Sequence, residues 1–157
     1  MSPTSESRIT YACLISQYTV ASAQVIRLIG GQDVIAVSTK QMADRGVNAR
    51  FENIIKPWVS HIRVIGAGND GVPPFPAESM RESYKWMQDY LKPLLDEARQ
   101  KGHWLIANVT GGTKAAAMAL DRCVEWDELH YTAEGTRDRL EVVNTQGGTL
   151  YSLRPLT

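Results

Sequence analysis

Apolar and polar positions change period repeatedly along this chain. Short apolar runs are each followed by a stretch in which apolar residues recur every three or four positions. That alternation marks strands followed by helices. The runs at 9–15, 34–38, 62–65 and 103–109 predict four strands. Helices are predicted over 20–29, 41–56 and 77–101, and a fourth runs to about 124. Gly30-Gly31 stops the first helix, Pro57 the second and Gly102 the third. Met80, Tyr84, Met87, Leu91, Leu94 and Ala98 make an apolar stripe along the third helix, and Pro93 is expected to bend it. This stripe reads as core or interface. Segments 129–131, 140–143 and 150–153 read as closing strands. Gly135 and Gly147-Gly148 turn between them in antiparallel hairpins. The pattern predicts an α/β, Rossmann-like fold: a mostly parallel sheet flanked by helices, with C-terminal antiparallel strands.

Composition narrows the function class. The 157 residues are 43% hydrophobic and 22% charged, as in a soluble globular domain. A single domain over 1–157 is expected, with 1–7 as a disordered or extended tail. Formal net charge is zero, whereas proteins that grip long nucleic acid carry a basic excess. DNA is therefore not an expected partner, and a small anion is. No apolar run is long enough to span a bilayer, and the first residues lack the pattern of a signal peptide. A cytoplasmic location with no membrane partner is expected. Cys13 and Cys123 read as buried free thiols. His61, His103 and His130 lack metal-ligand spacing, so neither a metal nor a cofactor is expected.

The candidate chemistry sits at 108–114, Asn-Val-Thr-Gly-Gly-Thr-Lys, between an apolar strand and an alanine-rich helix. A glycine turn into a helix gathers free N–H groups and the positive end of the helix dipole, which attracts phosphate. Asn108, Thr110, Gly111, Gly112, Thr113 and Lys114 are the candidates here. The segment is not a P-loop, because no Gly-Lys-Ser/Thr occurs in it. Gly66-Ala67-Gly68-Asn69-Asp70-Gly71 spells the dinucleotide fingerprint, but prolines follow where a helix should begin. In open α/β sheets strands one and four lie adjacent, and ligands bind at their carboxyl ends. Ser16, Gln17, Tyr18 and Thr19 follow the first strand, so they should share a crevice with the glycine turn. Thr39 and Lys40 belong on the same rim. Each has a plainer role open to it: Thr39 and Thr113 as helix caps, Lys40 as a solvated charge, Asn69 and Asp70 as turn residues.

The Thr-Gly-Gly-Thr-Lys string after an apolar strand resembles the CARF family, the CRISPR-associated Rossmann-fold domains. Ser16-Gln17-Tyr18-Thr19, the 37–42 segment and the order of elements are similar too, and the likeness covers roughly 8–153. The resemblance implies a homodimer that binds a cyclic oligoadenylate, commonly cyclic tetra-adenylate, across its two-fold axis. Some CARF domains also cut the ring and end type III CRISPR antiviral signalling. No nuclease or toxin module follows before Thr157. That fits a ring nuclease or a signal sponge, and equally a sensor piece of a longer effector.

The residues suit ring cleavage without metal. The ribose 2′-OH can attack its adjacent phosphodiester, leaving a 2′,3′-cyclic phosphate and a 5′-OH. Lys114 and the N–H groups of Gly112 and Thr113 can stabilise the added charge, and Ser16 can orient the 2′-OH. Lys114, Ser16 and Thr113 are thus the catalytic candidates. Gln17, Tyr18, Thr19, Thr39, Lys40, Asn108, Thr110, Gly111 and Gly112 are ligand-binding candidates, as are Asn69 and Asp70 if the 66–76 loop closes as a lid. A small-nucleotide phosphotransferase or hydrolase is a further alternative, but the carboxylate cluster that would hold magnesium is missing.

Overall fold

The computed structural model describes residues 8–17, 20–134 and 140–153. Its strands are β1 (Ile9–Leu14), β2 (Asp33–Val37), β3 (His61–Ile65), β4 (Trp104–Asn108), β5 (Glu128–Glu134), β6 (Leu140–Asn144) and β7 (Thr149–Leu153). They form one sheet in the order β3-β2-β1-β4-β5-β6-β7. Pairing is parallel from β3 to β5 and antiparallel from β5 to β7. This is the α/β, Rossmann-like architecture expected from the alternation. β1 pairs with both β2 and β4, so the connections leave the sheet in opposite directions between β1 and β4.

The helices are α1 (Val20–Ile29), α2 (Lys40–Asp44), α3 (Val47–Ile55), α4 (Met80–Trp86), α5 (Lys92–Gln100) and α6 (Lys114–Cys123). Alternate residues of the central strands serve two cores. Tyr11, Cys13 and Ile106 face Val25 and Ile26 of α1 and Phe51 and Ile55 of α3. Ala12, Leu14, Leu105 and Ala107 face Leu91, Leu95 and Leu120 on the other side. Burial on both faces is why these strands read as continuous apolar runs. Cys13 and Cys123 are both buried free thiols, one in each core. Burial pushes each thiol up to about 12. β3 lies at the edge, with His61 and Arg63 exposed and Ile65 buried.

Two expected helices are divided. The 41–56 pattern breaks at Gly46, which takes a left-handed φ of 73° between α2 and α3. The third helix begins at Met80 instead of 77, because Ser79 caps it by accepting the Glu82 N–H at 3.3 Å. It passes through a π-helical turn, Met87–Leu91, before α5. Pro93 lies at the start of α5 and has no N–H to give the carbonyl of the preceding turn. The wider turn accommodates that loss.

The 66–79 connection is fastened to α4. Trp86 Nε1 donates to the Pro73 carbonyl at 2.8 Å, Ser83 Oγ donates to the Pro76 carbonyl at 2.6 Å, and Phe75 packs edge-on against Trp86. These contacts hold the 73–76 part of the loop against α4. Gly66 sets its start: at φ 103° an added Cβ would lie 2.3 Å from the Ser38 carbonyl oxygen. Gly71 also has a positive φ, of 80°, but has open space around it. Gly71→Ala should therefore cost only the left-handed penalty, about 1–2 kcal/mol. Gly66→Ala should cost clearly more, because backbone must move. Denaturant unfolding of the two variants checks the difference; equal losses would refute the close packing at Gly66.

Candidate functional site

Asn108 is the last residue of β4 and is fully buried. Its carboxamide NH2 donates to the Tyr11 hydroxyl at 2.9 Å and to Thr132 Oγ1 at 2.8 Å. Its Oδ1 accepts the Thr110 N–H at 2.9 Å. Thr110 Oγ1 in turn accepts the Thr132 N–H at 2.6 Å. One side chain thus ties β1, β4 and β5 to the start of the glycine turn. Burial pushes the Tyr11 phenol well above its ordinary value, the neighbouring Cys13 adds to the shift, and the Asn108 hydrogen bond opposes it. The phenol stays neutral within the network.

Gly111 and Gly112 follow with φ of 86° and 66°. Both approach the β1 strand end closely. A Cβ on Gly111 would lie 3.1 Å from Ser16 Oγ, and one on Gly112 would lie 3.2 Å from Leu14 Cδ1. The loops after β1 and β4 therefore meet, as the topology anticipates. Thr113 is the N-cap of α6: its Oγ1 accepts the Ala116 N–H at 3.1 Å and donates to the Ala77 carbonyl. Lys114, the first residue of α6, is exposed. The result is a helix N-terminus, a left-handed glycine pair, a serine and an exposed ammonium in one place, a set suited to phosphate.

The candidate residues divide by placement. Ser16, Gly111, Gly112 and Lys114 gather at the turn, with Gln17 exposed beside Ser16. Asn108 and Thr110 lie beneath it, and the carboxamide is used up inside the protein. Asn108 thus supports the turn and has no donor left to read a ligand. The Thr113 hydroxyl has spent its one proton on the Ala77 carbonyl, which leaves its backbone N–H as the donor it can offer a ligand. Tyr18 and Thr19 lie outside the described residues. Thr39 caps α2, accepting the Met42 N–H at 3.2 Å, and Lys40 is exposed at the first position of that helix. Asn69 and Asp70 are exposed in the 66–79 loop, and Asp70 Oδ1 accepts the Val72 N–H at 3.2 Å, so Asp70 forms the turn.

Sequence reasoning missed two supports and one cleft. Tyr11 and Thr132 are strand residues whose role depends on pairing partners far away in the chain. The cleft, of about 330 Å³, runs between Thr39–Gln41 and the 74–79 segment and also takes in Glu82. Its only signal in the sequence is the proline-rich loop. Another cavity of about 330 Å³ lies between α1 and β4–β6. It is mainly apolar and sits toward the opposite ends of the strands, where His130 Nε2 pairs with Glu128 Oε1 at 3.2 Å.

No family model matches the chain, and no curated protein does. Solved structures do. Can2 from Sulfobacillus thermosulfidooxidans, in complex with cyclic tetra-adenylate, is similar at a TM-score of 0.68 and 21% identity, over 92% of this chain and 37% of that one. A type III CRISPR defence DNA nuclease activated by cyclic oligoadenylate gives 0.62 and 24%, over 96% of this chain and 22% of that one. Protein VC1899 from Vibrio cholerae gives 0.63 and 12%, over 92% and 36%. The chain thus spans 22% to 37% of the length of these structures. At these identities the likeness shows a shared Rossmann-like fold.

The Asn108 network predicts a sharp contrast. Asn108→Ala strands two buried hydroxyls and the half-buried Thr110 N–H, each buried group costing about 1–3 kcal/mol, and should lower stability by several kcal/mol. Tyr11→Phe removes one hydroxyl and should cost about 0.5–1.5 kcal/mol. Chemical denaturation of the single and double variants should show non-additive losses; additive ones would mean that the two side chains do not interact.

Proposed function

We propose that the chain binds a cyclic oligoadenylate, cyclic tetra-adenylate by preference, and cleaves it without a metal ion. Such an enzyme would lower the signal in type III CRISPR defence. The observation that carries this reading is the packing of Ser16 against Gly111 beside Lys114, at the point where β1 and β4 lie adjacent. The fold likeness to a protein solved with cyclic tetra-adenylate supports the choice of ligand.

In this mechanism the ribose 2′-oxygen bonds to the adjacent phosphorus and the bond to the 5′-oxygen breaks. The products are a 2′,3′-cyclic phosphate and a 5′-hydroxyl. The 2′-OH proton passes to water, and the leaving oxygen takes one from water. The protein contributes alignment and charge stabilisation. Gly112 and Thr113 offer N–H groups to the phosphorane oxygens, Lys114 offers its ammonium, and Ser16 stands where it can hold the 2′-OH. The three histidines lie elsewhere: His61 opens β3, His103 precedes β4, and His130 is buried beside Glu128. Proton transfer is therefore left to solvent, which implies slow turnover. The same feature favours a second reading, a sponge or sensor that holds the ring intact.

A ring with several phosphates needs more than one Lys114 on a chain of zero net charge. A two-fold homodimer doubles the crevice. Met118, one turn beyond Lys114, and Tyr131 on β5 are about half exposed, and they supply apolar contact for a second copy. Light scattering should show a dimer that Met118→Asp weakens; a monomer with and without ligand would rule the arrangement out.

Lys114→Ala should reduce ring binding by roughly the 1.5–3 kcal/mol of a charge-assisted hydrogen bond, and should reduce cleavage further. Equal losses would mean that Lys114 holds ground and transition states alike. Cleavage should survive EDTA and stop with a 2′-deoxy ring that still binds. Tight binding of the natural ring with no product would leave the sponge. Cutting of the 2′-deoxy ring would disprove 2′-OH attack.

A further inference from the structure

The cleft beside the glycine turn carries chemistry that phosphate binding does not use. Pro74, Phe75 and Pro76 give it an apolar wall, while Lys40, Glu78 and Glu82 supply charge. The side chains of Glu78 and Glu82 are exposed and, among the described residues, make no ion pair or hydrogen bond. Ala77 also lines the cleft, and its carbonyl accepts the Thr113 hydroxyl. Cleft and glycine turn therefore share a wall. At about 330 Å³ the cleft is at the small end of the range for ligand pockets. It suits one nucleoside and not a whole ring.

Two carboxylates next to a polyanion site repel it unless they meet hydrogen-bond donors. The exocyclic group of a 6-amino purine carries two N–H donors pointing to opposite sides, one for each carboxylate, and its flat faces suit the proline and phenylalanine wall. A 6-oxo purine turns an acceptor toward the same carboxylates, so donor and acceptor no longer match. Lys40, at the cleft, can hold a phosphate or ribose oxygen of the same nucleotide.

We infer that this cleft is a base-reading subsite, in which Glu78 and Glu82 select a 6-amino purine by accepting its exocyclic N–H groups. The inference rests on the cyclic oligoadenylate reading and adds to it the determinant of base identity. The glycine turn and Lys114 set affinity for the phosphate ring. The glutamates set which base that ring carries.

The test compares cyclic tetra-adenylate with cyclic tetra-inosinate, titrated calorimetrically against the 157-residue chain and against Glu78→Gln, Glu82→Gln and the double variant. Both positions are exposed, and circular dichroism checks that each variant is folded. The parent chain should prefer the adenylate ring by about tenfold or more, the scale of one charge-assisted hydrogen bond. The double variant should bind the inosinate ring better than the parent does, because an amide can donate to the 6-oxo group, and the preference should collapse toward unity. Equal binding of both rings by the parent overturns the subsite while leaving the oligoadenylate reading intact. A preference that survives the double substitution also overturns it, since base selection then lies elsewhere. Failure of the parent to bind either ring overturns this inference together with the reading beneath it.

Discussion

A single buried carboxamide holds the site in shape. Asn108 sits where β4 ends, and its hydrogen bonds reach β1 through Tyr11, β5 through Thr132, and the turn through the Thr110 N–H. A glycine pair has no side chains with which to fix its own course, so its path must be imposed from below. The polar network does this at three points, at the cost of burying groups that would otherwise be hydrated. Once the turn is placed, the contact with Ser16, the start of α6 and the direction of Lys114 follow.

The helix side of the site is fixed in a comparable way. The Thr113 hydroxyl satisfies an orphan N–H of α6 and at the same time engages the Ala77 carbonyl. Helix initiation and loop placement thus depend on one oxygen. The hydrogen bonds of Trp86 and Ser83 to the Pro73 and Pro76 carbonyls extend that wall to α4. Preformed geometry of this kind suits the proposed cleavage, in which positioning would take the place of a strong base.

Much of this was legible in the sequence because burial on both faces leaves a plain mark. β1, β2 and β4 read as apolar runs, and the adjacency of β1 and β4 follows from the general rule for open sheets. The glycine turn was equally visible. Other features depend on contacts that one-dimensional patterns do not carry. An asparagine at a strand end looks the same whether its amide points outward to a ligand or inward to Tyr11. Thr113 was recognised as both cap and catalyst, and only the Ala77 carbonyl decides how its hydroxyl is spent. Gly46 splits a continuous helical pattern through a backbone sign that its neighbours do not reveal. Glu78 was hidden inside an expected helix and is in fact part of the connection before it.

The exposed flank of β3 has a consequence for how this protein behaves when crowded. An edge strand offers unpaired backbone groups to any other strand, and extension of the sheet from copy to copy is the route to fibres. Here the edge displays His61 and Arg63, with Arg8 and His61 both held against Asp33 at 3.0 Å. Adding another β3 would bring these bulky polar side chains alongside their counterparts and disturb the Arg8–Asp33 ion pair. The chain thus carries its own safeguard against runaway strand addition, and a concentrated solution should resist fibre growth from that side.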